Sequence, residues 1–99
     1  MAIDLTETGI LASLAASRIP DHMHGGLMRY LVHGIQPGSF MLAVLSNDLQ
    51  EACMRADDSN RYRLFDYVSW LYSYAPQGSW GSEDRVIEWM THRRETASV

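Results

Sequence analysis

The sequence has no lysine, a single cysteine, three prolines and no wholly apolar run longer than Phe40 to Leu45. With Cys53 alone, no disulfide can close within the chain and no C-x-x-C metal site can form, which fits a reducing, cytoplasmic setting. A membrane helix needs about 20 consecutive apolar residues. The longest run is far shorter, so no membrane partner is expected. Asp4 and Glu7 precede the first base, Arg18, which reverses the charge order of a secretory leader.

Positive charge is scarce as well. Twelve acids against eight bases, all arginine, give a net charge of −4, and the isoelectric point is near 5.4. Binding to a DNA or RNA polymer relies on a basic footprint that this chain lacks. The acidic excess is too scattered for a DNA mimic, because Asp57-Asp58 and Glu83-Asp84 are its longest runs. Catalytic signatures are missing too: there is no G-x-S-x-G elbow, H-E-x-x-H, G-x-G-x-x-G or phosphate loop. The chain reads as a non-enzyme without a cofactor. His22 and His24, two apart, fall on opposite sides of a helix and cannot share a metal ion, and His33 lies three turns away from His22.

What remains is a 99-residue chain, 46% hydrophobic, with ten aromatics, enough for one domain. Apolar residues recur at helical spacing and nowhere in strict alternation, so the expected class is all-α. Five helices are expected, centred on a hairpin of the second and third. The first, at 5–17, opens on the capping-box pattern Asp4 to Glu7. The second, at 20–33, starts at Pro20, buries Met23, Leu27, Tyr30 and Leu31, and stops at Gly34. The third, at 39–56, carries a stripe of Leu42, Leu45, Leu49, Ala52, Cys53 and Ala56. The fourth, at 59–75, has the stripe Leu64, Val68, Leu71, with aromatics around nearly all the remaining circumference. The last, at 82–93, turns Val86, Ile87, Trp89 and Met90 inward, and Arg93 and Arg94 complement its own dipole. The division is an N-terminal helical arm at 1–18, a single helical domain at 19–94 and a tail at 95–99. A helix apolar all round is a buried helix, and one small domain cannot surround it, so a homo-oligomer is expected.

Two polar constellations are candidate binding groups. Asn47, Asp48, Glu51, Arg55, Asp57 and Asn60 form the first, either as a satisfied network fixing helix register or as ligand contacts. Arg29 and Tyr30 with Arg61, Tyr62, Arg63 and Tyr67 form the second. Arginine forks clamp phosphate while rings stack on bases, although the same residues also serve helix packing.

Ile19-Pro20, His22-Met23, Arg29-Tyr30, Gly34-Ile35, Pro37 to Phe40, Ala43 to Leu45, Asn47 to Leu49, Arg55 to Asp57, Asn60, Leu71-Tyr72, Ala75-Pro76 and Trp80 to Ser82 together resemble a family of short proteins encoded by bacteriophages and prophages. The resemblance spans about 19–90. It departs at Ser79, where cysteine is frequent in that family. It implies an accessory protein acting in the host bacterial cell as an inhibitor or sponge. On that basis the expected function is counter-defence: sequestration of a nucleotide-type immune signal, such as a cyclic nucleotide, in pockets of a homo-oligomer. The alternative is a protein-interaction module that blocks a host protein through the aromatic helical surface. Arg29, Tyr30, Asn47, Asp48, Arg55, Asn60, Arg61 and Arg63 are the candidate ligand-binding residues. Far-ultraviolet circular dichroism of the purified chain should show a helical spectrum; substantial strand content would refute the class.

Overall fold

The computed structural model describes residues 5–97, and all regular structure among them is helical. Six α-helices are present: α1 (Glu7–Ala15), α2 (His24–His33), α3 (Ser39–Leu45), α4 (Leu49–Arg55), α5 (Leu64–Tyr74) and α6 (Glu83–Ala97). Single 3₁₀ turns at Asp21–Met23 and Gln77–Ser79 lead into α2 and α6. The expected count of five was one short because the third helix breaks in two.

The break lies at Ser46 to Asp48 and has a local cause. Asn47 adopts φ 62, the left-handed conformation that asparagine tolerates better than other residues with a Cβ. Its N–H donates to the Val44 carbonyl at 3.1 Å and that of Asp48 to the Ala43 carbonyl at 2.9 Å, which closes the end of α3. The Asp48 carboxylate then accepts the Glu51 amide at 3.2 Å and starts α4. An Asn-Asp step thus supplies a C-terminal and an N-terminal cap in succession. The change of direction turns Leu49 out to 70% exposure and exposes Cys53, while Leu45 and Ala52 stay buried.

At the first helix, Thr6 is the cap, accepting the Gly9 amide at 3.0 Å; Asp4 lies outside the described residues. The start of α5 also moves. Asp57 accepts the Asn60 amide on its side chain and the Arg61 amide on its carbonyl, so 57–63 is a wound turn and the helix begins at Leu64. Its buried face is Tyr67, Trp70 and Leu71; Val68, placed inward by the sequence, is 47% exposed. The helix is therefore buried on one side only. Residues 95–97, assigned to the tail, continue α6.

α2 is the element on which α1 and α6 both pack, and α3 is not its main partner, so the expected central hairpin is replaced by a three-helix layer. Leu27, Tyr30 and Leu31 of α2 are fully buried with Ile10 and Leu14 of α1, Leu45, Tyr67, Leu71 and Val86. Phe40 meets Tyr67 edge-on at 5.3 Å between ring centroids. Long-range polar ties complete the core: the Tyr30 hydroxyl donates to the Ser79 carbonyl at 2.6 Å, and Trp70 Nε1 to Ser13 Oγ at 3.0 Å.

Gly34 fixes where α6 lies. It ends α2 at φ 70, and a Cβ there would stand 2.6 Å from the Met90 carbonyl oxygen. The glycine lets the two backbones touch. Arg93 Nε then reaches the Val32 carbonyl and Arg94 Nε the Gly34 carbonyl, each at 3.0 Å, so these arginines cap α2 and not only their own helix. Gly34→Ala combines a disfavoured dihedral with a backbone collision, and it should lower stability by more than about 1 kcal/mol in urea unfolding. A wild-type midpoint in that variant would refute the close approach.

Candidate functional site

The eight residues singled out by sequence separate in space. Tyr30 belongs to the core, through the Ser79 bond already described. Arg29 is exposed and folds back along its own helix, its guanidinium lying over Gly25. Asn60, 2% exposed, accepts the Tyr67 hydroxyl on Oδ1 at 2.5 Å, and its own amide is held by Asp57 at 2.8 Å. The Asp57–Asn60–Tyr67 group is a satisfied structural network.

Around the start of α5, Arg61 pairs with Asp58 at 2.9 Å and stands 5.9 Å from the Tyr62 ring, while Arg63 faces Asp66 at 3.6 Å. Arg55 pairs with Glu51 at 3.1 Å. The Arg55–Glu51 and Arg61–Asp58 pairs are largely exposed, a setting in which a pair contributes about 0.2–1 kcal/mol, whereas Asp66 is more buried than its partner Arg63. The Arg55 and Arg61 guanidinium groups can therefore change partner at little cost. Of Arg29, Arg55, Arg61 and Arg63, only Arg55 lines one of the clefts described here.

Two clefts flank the α3–α4 break. The first, about 400 Å³, lies between α3, α4 and α6; Asp48, Glu51, Arg55 and Glu83 form its rim, and Leu42 and Ile87 contribute to its apolar wall. The Asp48 and Arg55 of the sequence reading meet here, both solvent-facing, so the buried register network considered for Asn47 and Asp48 does not form. The second cleft, about 540 Å³, is lined by Asn47, Tyr72, Gln77, Trp80, Gly81 and Arg85.

Between the clefts and α5 runs an apolar strip. Leu49 and Val68 share one depression, and Phe65, Val68, Tyr72 and Trp80 share the next. Phe65 is 80% exposed, Tyr72 74% and, just before the helix, Tyr62 78%. This is the aromatic surface anticipated from composition, although Trp70, counted in it, is buried. Arg85 was not singled out by the sequence reading. Its signal was a base in the first turn of α6, where the dipole favours acids.

Among the described residues no group of three histidine, cysteine, aspartate or glutamate side chains could hold a metal ion, and no helix is long and apolar enough to cross a membrane. The His22 ring instead faces Asp57 at 3.5 Å, and His33 meets Glu7 at 2.8 Å, fastening α1 to α2.

Burial pushes the Tyr30 phenol well above its ordinary value of 10.0. Tyr67 is pushed up by burial and further by the negative charge of Asp57. Both hold their protons more tightly folded than unfolded. Their contribution to stability is complete below about pH 10 and falls as the pH rises through and beyond the unfolded value. Unfolding midpoints should drop above that pH, and Tyr67→Phe should weaken the drop while costing about 1–3 kcal/mol at neutral pH, because Asn60 Oδ1 loses its donor. A flat alkaline profile in the wild type would refute this. Compared with known proteins, the chain matches no family model, no curated protein and no solved structure.

Proposed function

We propose that the chain is a non-enzymatic binding protein that assembles with copies of itself and sequesters a nucleotide-type signal in pockets between subunits. The observation that carries this reading is the outer surface at the start of α5 and along it: Tyr62, Phe65 and Tyr72 are largely exposed, and Arg61 and Arg63 flank Tyr62 in the chain, paired with Asp58 and Asp66, each three residues away. A face of this kind is costly to leave in water and is covered by a partner surface in most proteins that carry one. When two such faces meet, a symmetric contact repeats every ring and every fork. A cyclic nucleotide presents separated phosphates and flat bases, which are the groups that forks and rings recognise. The dispersal of the arginines in a single subunit supports pockets built from two. The role we propose is counter-defence within a bacterial host, which the resemblance to phage and prophage accessory proteins supports.

A second reading has its own support. The apolar strip continues from α5 to Leu49, wider than a base requires and suited to a helix of another protein. In that case the module would block a host protein through this face.

Native mass spectrometry of protein purified from cells that make cyclic nucleotides reads both readings at once. The expected result is a multiple of the 11.2 kDa chain carrying a bound nucleotide. Phe65→Arg should shift the mass to the monomer, and Arg63→Ala should weaken nucleotide binding by about tenfold or more with the helical spectrum unchanged. A bare monomer would refute the sequestration reading; an oligomer that binds none of a panel of cyclic di- and trinucleotides would favour the interaction module.

A further inference from the structure

The cleft that joins the 3₁₀ turn Gln77–Ser79 to the end of α5 shares Tyr72 with the face just discussed and adds a charge of its own. Its lining includes Tyr72, 74% exposed, and the half-buried Trp80, and neither ring stacks on another ring of the chain among the described residues. Arg85 supplies its charge. The Arg85 guanidinium pairs with no carboxylate among the described residues; Nη1 makes only two long hydrogen bonds, of 3.4 Å each, to the Gln77 and Trp80 carbonyls. Of the five donors of a guanidinium, most stay available.

Two backbone features hold this arrangement open. Gly81 has φ 115, and a Cβ there would stand 3.0 Å from Arg85 Nη1, so the glycine gives the guanidinium its place. Asn47 sits at φ 62 on the opposite wall. Its left-handed conformation is the one that closes α3, so this wall is set by the helix end. The Gly81 amide donates to the Leu45 carbonyl at 2.8 Å, which pins the two walls together.

We infer that this cleft binds a small aromatic carboxylate, its ring against Tyr72 and Trp80 and its carboxylate on the Arg85 fork. The guanidinium plane matches a carboxylate through two parallel hydrogen bonds. The single positive charge balances one negative charge, whereas a phosphate monoester carries about −1.5 to −2. Asn47 and Gln77 supply amides for polar substituents on the ring.

Indole-3-carboxylate is the probe, followed by isothermal calorimetry and by ring chemical shifts. The expected result is saturable binding that shifts the Tyr72 and Trp80 signals, with indole-3-carboxamide weaker by about tenfold or more. Arg85→Gln should reduce carboxylate binding by a similar factor and leave carboxamide binding unchanged. Tyr72→Ser should weaken both ligands; helical dichroism monitors folding of each variant. Equal affinity for acid and amide, wild-type affinity in Arg85→Gln, tighter binding of adenosine 5′-monophosphate than of the carboxylate, or no saturation at millimolar probe would each overturn the assignment. Arg63→Ala, which tests the nucleotide reading, should leave indole-3-carboxylate binding unaltered.

Discussion

The contact of α6 with the end of α2 is the constraint from which the rest of the molecule takes its shape. Gly34 has no Cβ, so the Met90 carbonyl lies against it, and Arg93 and Arg94 reach the last carbonyls of α2. Once α6 is fixed there, Val86 enters the core. The segment before it, 77–82, is then carried to where Ser79 receives the Tyr30 hydroxyl and Gly81 donates to Leu45. Trp80 and Arg85 owe their positions to that chain of contacts.

The same packing divides α5 into two unlike sides. Inward, Tyr67, Trp70 and Leu71 are buried, and the Tyr67 hydroxyl and Trp70 indole N–H each have an acceptor. Outward, Phe65 and Tyr72 are largely exposed and Val68 is half-exposed. A tyrosine buried with its hydroxyl satisfied is fixed to one neighbour, whereas an exposed one keeps its ring and its hydroxyl for a ligand or another subunit. The aromatic richness of this one helix thus builds the core on one face and leaves rings exposed on the other.

The helical class, the glycine stop of α2, and the buried set Leu27, Tyr30 and Leu31 were all legible in the sequence, because each follows from spacing or from a single residue's backbone preference. The break in the third helix was written there too, as Asn47-Asp48. A continuous period of apolar residues across it outweighed the two polar ones, and only tertiary packing decides between a polar interruption and a pair of caps. In the expected stripe of α5, Leu71 is buried and Leu64 packs against the core, but Tyr67 takes the place of Val68, its hydroxyl satisfied by Asn60. The candidate arginines could be named but not gathered. Residues such as Arg61 and Asp58 are neighbours in sequence, and their exposed pairing leaves no trace in periodicity. Arg85 acquires meaning only once Gly81 and the 77–79 turn place it over a cleft.

The long reach of the internal ties bears on how the chain comes to be made. Tyr30 is bonded 49 residues downstream, Ser13 57 residues and Val32 61 residues downstream. During synthesis, α1 and α2 are made well before Trp70, Ser79 and Arg93 exist. Their apolar faces therefore wait uncovered until the last helix is translated, and the core closes in a single late step. A chain interrupted before α6 would keep those faces open to chaperones and proteases, so folding itself separates complete copies from incomplete ones.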